Sequence, residues 1–139
     1  MKTLKELSEG MDRNRIAMGC ILSGVAVVAG AFGAHALQGL LDEKYSHTYQ
    51  TAVTYHFYHA LALIFSGMLA PVASPSLLKI AYRFFLVGLL LFSGSLYLLT
   101  LLMAFMNIRY GWLGAITPFG GLSFILGWVM LALAVKKGK

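Results

Sequence analysis

The sequence predicts an all-α integral membrane protein, a bundle of four transmembrane helices with both termini in the cytoplasm. Three observations carry that expectation. Apolar types make up 59% of the 139 residues and charged types 12%, too little polar surface to cover a water-soluble globule. Runs without Asp, Glu, Lys or Arg recur four times, each about as long as the roughly 20 residues needed to cross a bilayer. Lys and Arg are distributed unevenly over the breaks: Lys2, Lys5, Arg13, Arg15, Lys79, Arg83, Lys136, Lys137 and Lys139 fall on one side of a four-span topology and only Lys44 and Arg109 on the other, the pattern of a protein with its basic side in the cytoplasm. The net charge of +6 therefore belongs to membrane orientation. Nucleic acid is not an expected partner, because the basic residues sit at the ends of apolar runs and not together on one face.

Residues 1–15, MKTLKELSEGMDRNR, form a polar tail in which Leu4, Leu7 and Met11 recur near helical spacing, compatible with a short amphipathic helix on the membrane surface or with a frayed segment. The membrane domain is expected over 16–135. Its first span covers about 16–38. On a helical projection Gly19, Ser23, Ala26, Gly30 and Gly33 share one face, and Ala17, Gly24, Ala31 and His35 nearly the opposite one. Small residues let backbones approach closely in lipid, so both faces are expected to pack against neighbours, with Met18, Leu22, Val25 and Phe32 toward lipid. Cys20, the one cysteine, excludes an intramolecular disulfide and a Cys-cluster metal site and is expected to be a buried, inert thiol.

A polar connection holding Asp42, Glu43, Lys44 and His47 leads to the second span, about 49–70, which ends at Pro71. It carries His56 and His59 one turn apart, on a side shared with Ala52, Leu63, Ser66 and Gly67. The third span, about 84–106, aligns Ser93, Tyr97, Thr100 and Ala104, and Asn107 to Gly111 is expected to make a tight loop. The fourth, about 112–135, contains Thr117-Pro118-Phe119-Gly120-Gly121. Pro118 removes a backbone donor and is expected to kink the helix, and Gly120, Gly121 and Gly127 mark packing faces. Residues 136–139 are a basic tail.

This topology places His35, His56 and His59 in the outer half of the membrane, the last two roughly 10 to 15 Å below the outer end of their helix. A neutral imidazole inside a bundle needs both a donor and an acceptor, and Ser93, Tyr97, Thr100 and Thr117 are the candidate partners. Two readings stand. The polar cluster of His35, His56, His59, Tyr97, Thr100 and Thr117 is a set of interhelical hydrogen bonds that fixes packing, or it is a binding site for a small ligand, quinone or metal. His35, His56 and His59 are the candidate metal ligands, although no cofactor is expected. An enzyme is not expected, because every Asp and Glu lies outside the spans and no carboxylate is available as a proton relay. The expected surroundings are the lipid bilayer of a bacterial inner membrane, with a membrane-protein partner or a second copy of the chain.

The motifs GAFGAHAL (30–37), YQTAVTYHFYHALALI (49–64), LFSGSLYL (91–98) and LGAITPFGGLSFILGW (113–128) resemble those of the YgdD or transmembrane-protein-256 family. The resemblance covers about residues 16–135. It implies four membrane helices and supplies neither an assigned activity nor catalytic residues.

Overall fold

The computed structural model describes residues 3–108 and 111–138. Among them every regular element is helical: α1 (Leu4–Glu9), α2 (Arg13–His35), α3 (Glu43–Met68), α4 (Pro75–Gly88), a π-helical turn (Leu89–Ser93), α5 (Gly94–Met106) and α6 (Gly111–Lys137). α4, the π turn and α5 run on as one rod of 32 residues. α6 continues through Pro118.

α1 is held by a reciprocal cap. Thr3 Oγ1 accepts from the Glu6 N–H at 3.3 Å, and Glu6 Oε2 accepts from the Thr3 N–H at 2.8 Å, which satisfies two orphan donors of the first turn. None of its residues is buried. Asp12 caps α2 through the Arg15 N–H at 3.1 Å and pairs with the Arg15 guanidinium at 2.9 Å. The expected loop from Asn107 to Gly111 includes residues 109 and 110, which lie outside the described residues.

The long helices begin earlier than the charge-free runs. α3 starts at Glu43 instead of 49 because Asp42 accepts from the Tyr45 N–H at 2.9 Å, so Lys44 and His47 are helical and not part of the connection. The third rod starts at Pro75, well before 84, with proline in its first turn, where the missing N–H costs nothing. Absence of charge marks depth in lipid, while caps mark where helices begin. A consequence is that His56 lies 13 residues from Glu43 and 12 from Met68, at the middle of its helix and not near one end.

Among the described residues three helices are long and apolar enough to cross a membrane, where four were expected: Arg13–His35, Pro75–Met106 and Gly111–Lys137. α3 is 26 residues long, but its charged first turn, its two buried histidines and its tyrosines lower its hydropathy. One side of it is packed against its neighbours, while Tyr58, Phe65 and Met68 on the other side are exposed. Ala52, Ala60, Ala62, Leu63 and Ser66 on α3 are fully buried.

Successive long helices are antiparallel. The start of α2 meets the end of α3, where the Asp12 N–H donates to Gly67 O at 3.0 Å. The end of α2 meets the start of α3, where Tyr49 OH donates to Ala29 O at 2.8 Å. The start of α4 meets the end of α6 through the Ser74 N–H and Ala134 O at 3.0 Å. Both ends of the described chain therefore lie at one end of the bundle, above a core of Leu63, Leu78, Ala81, Phe85, Phe124 and Leu131.

The α2–α3 seam uses one of the two small-residue faces expected on α2. A Cβ on Gly19 would stand 2.8 Å from Ala60 O, backbone that cannot turn aside. Gly30 faces Val53 and Gly33 faces the Tyr49 ring. The other face, Ala17, Gly24, Ala31 and His35, is exposed, and nothing lies within 4 Å of the position of a Cβ on Gly24. Cys20 is exposed as well, against the expectation of a buried thiol, because α2 packs chiefly on α3 and turns its remaining circumference outward.

Candidate functional site

α3 supplies the polar centre, and its two histidines face different neighbours. His59 Nδ1 lies 2.7 Å from the carbonyl oxygen of Tyr55, one turn back on its own helix. A carbonyl can only accept, so Nδ1 carries the proton and Nε2 presents a lone pair. That lone pair accepts from the indole N–H of Trp128 at 3.2 Å. Both ring nitrogens are thereby used. The imidazole also stacks on Phe124 of α6, with centroids 3.4 Å apart and planes 8° from parallel. Tyr55, Tyr58, Phe92, Phe124 and Trp128 line an aromatic cleft of about 620 Å³ beside it.

His56 turns the other way. Its Nδ1 lies 3.2 Å from Tyr97 OH on α5, and Tyr97 meets Tyr49 edge to face at 5.3 Å between centroids. The two hydrogen bonds join α3 to α5 through His56 and α3 to α6 through His59.

The remaining candidates are placed as follows. His35 is exposed at the end of α2, away from the buried pair. Thr100 is fully buried and bonds back to its own helix, to Leu96 O at 2.8 Å. Thr117 Oγ1 pairs with Ser95 Oγ at 2.9 Å, a link between α5 and α6 just before Pro118, whose own ring is exposed. Among the described residues no three His, Cys, Asp or Glu side chains come together as a metal site. The expected cluster is thus resolved into separate pairs, of which His56–Tyr97 was anticipated and His59–Trp128 was not.

Gly120 and Gly127 make close contacts. A Cβ on Gly120 would meet the backbone of Leu91 and Phe92 in the π turn, and one on Gly127 would stand 2.7 Å from the Phe85 ring. Gly121 has more room, its nearest neighbour being the Phe92 ring at 3.8 Å. Beside this contact Ser123 Oγ donates to Phe84 O at 2.8 Å. Ser93, at the end of the π turn, has no hydrogen-bond partner for its buried hydroxyl.

The family model described as a protein of unknown function, DUF423, matches residues 29–121. The match takes in both histidines, the π turn and Gly120. This chain belongs to the DUF423 family. Its relatives carry the name UPF0382 membrane protein. The chain is 42% identical to UPF0382 membrane protein YwdK of Bacillus subtilis over 124 residues, 88% of this chain and 95% of that one. It is 43% identical to UPF0382 membrane protein SH2409 of Staphylococcus haemolyticus over 122 residues, 88% of this chain and 94% of that one. No solved structure matches. With relatives named as membrane proteins and three apolar helices of spanning length, the DUF423 chain is a multi-pass integral membrane protein.

Proposed function

We propose that this chain is a non-enzymatic accessory or scaffold protein of the bacterial inner membrane, in which the two central histidines hold helices together. The observation that carries the reading is the saturation of His59: one nitrogen donates to Tyr55 O, the other accepts from Trp128, and Phe124 covers the ring. A group so occupied has no lone pair for a metal and no proton to exchange with a substrate. The order of motifs that resembles the YgdD and transmembrane-protein-256 proteins is in keeping with this reading, since that resemblance brings no activity with it.

In this reading α3 is a fourth crossing and both termini are cytoplasmic. Support comes from its length, about 39 Å at 1.5 Å per residue, and from its contacts with both ends of α2: a helix that accompanies a spanning helix from end to end crosses with it. Its polar groups are acceptable at that depth because the surrounding helices meet them. Replacing His59 by Ala is expected to lower thermal stability in detergent and to leave the metal content and absorption spectrum of the purified protein unchanged. A metal or chromophore that is present in the parent and missing from the His59→Ala variant would overturn the structural role.

A further inference from the structure

One cleft in the bundle combines apolar walls with polar groups that still have hydrogen bonds to give. It holds about 370 Å³ between α2 and the π turn, with Leu22, Val25 and Leu89 among its walls and His56, Ser93 and Tyr97 in its lining. Val25 is 49% exposed and Leu90, also at its rim, 73%, so in a bilayer its mouth opens toward lipid.

The hydrogen-bond inventory of the lining is unbalanced. Ser66, Ser95 and Thr100 each satisfy the hydroxyl on a carbonyl three or four residues back, the usual resort of a hydroxyl inside a helix. Ser93 does not, although it is only 2% exposed. It ends the π turn, where the Gly94 N–H reaches back to Leu89 O across the widened ring. Such turns recur at functional sites, and a buried hydroxyl left unpaired is destabilising. The His56–Tyr97 pair adds a second spare donor. A neutral imidazole and a phenol carry one proton each on their polar atoms, and their mutual hydrogen bond uses one of the two. Whichever group donates, one N–H or O–H remains. No carboxylate lies in the lining to take it.

We propose that this cleft binds a membrane-soluble molecule through a carbonyl group, whose oxygen accepts from Ser93 and from the His56–Tyr97 pair while an apolar tail lies along α2 and the π turn. The donors select an acceptor, and the walls select a molecule that arrives from the lipid. Quinone heads and the ester linkages of glycerolipids share this carbonyl chemistry. The site is separate from His59, and its occupancy does not depend on a packing role for that residue.

The test uses the full chain in nanodiscs of ether-linked phospholipid, which contain no ester carbonyl. Two probes are added separately: a decyl-tailed 1,4-benzoquinone and a diester phosphatidylglycerol, each labelled with 13C at its carbonyls. Saturable binding of either, read by native mass spectrometry, with a downshifted labelled carbonyl stretch in the infrared, is the expected result, and the probe that binds identifies the source. Ser93→Ala is expected to weaken that binding about five- to tenfold, the loss of one hydrogen bond, with no fall in Tm, because the hydroxyl removed supports nothing else. Tyr97→Phe is expected to weaken it as well. Failure of both probes to saturate, or equal binding by the parent and Ser93→Ala, would overturn the proposal.

Discussion

His59 and His56 show how differently two residues of one type can be used one turn apart. Both ring nitrogens of His59 are occupied, and the Trp128 that completes it is itself 43% exposed, its ring lining the cleft while its N–H meets Nε2. Trp128→Phe preserves an aromatic ring against Phe85 and removes only the donor to Nε2. The expected loss is about 1 kcal/mol, typical of an interhelical hydrogen bond in a membrane protein, measured by equilibrium unfolding in mixed micelles. Tyr97 was legible as a partner because it shares a stripe with Ser93 and Thr100. Trp128 was not, because a tryptophan toward the end of a span reads as a member of the interfacial belt. Depth matches the two only from the helix starts seen in the structure, His59 lying 16 residues into α3 and Trp128 17 residues into α6, two helices that run in the same direction. From the expected starts at 49 and 112 it does not. Thr100 was misassigned for a different reason, since a hydroxyl that can bond its own helix needs no neighbour.

At the scale of elements, α6 and the rod from Pro75 to Met106 approach most closely where Gly120 meets the π turn. The obstruction a side chain would meet there is backbone, at Leu91 and Phe92, so neither helix can yield by changing a rotamer. Gly120→Ala is expected to destabilise by about 1–3 kcal/mol, the usual cost of overpacking. Gly121→Ala, one position on and with its nearest neighbour at 3.8 Å, is expected to change stability little. Thermal denaturation of the two variants side by side is the measurement. The long helices were visible in the sequence as runs free of charge, but their starts were not, because Asp42 and Ser74 begin helices in segments that read as connections. Nothing in the residues 89–93, LLLFS, announces a π turn. It depends on what α6 brings against it. The small-residue faces of α2 were likewise visible as a pair, though only the neighbour decides which one is used.

At the scale of the whole molecule, Gly10 and Asp12 near one described end of the chain and Gly138 at the other lie beside the end of α3 and the segment joining it to α4. That arrangement suits an even number of crossings and the uneven distribution of Lys and Arg. Reporter fusions at residue 2 and after residue 139 are expected to give cytoplasmic signals, and a fusion between α5 and α6 a signal from the opposite side. A C-terminal reporter on the outside would reject the topology.

The pairing of α2 with α3 and of α4 with α6 gives the most extensive contacts in the bundle. Each pair is also contiguous in sequence, apart from the second half of the third rod. The structure is therefore organised as two hairpins. If α3 is the fourth crossing proposed above, the first would enter the membrane and close upon itself before the second leaves the ribosome. α3, too polar to be at ease in lipid alone, would then never wait there without α2 beside it. The histidines would find Tyr97 and Trp128 only when the second hairpin docks, so their hydrogen bonds report completed assembly and not insertion.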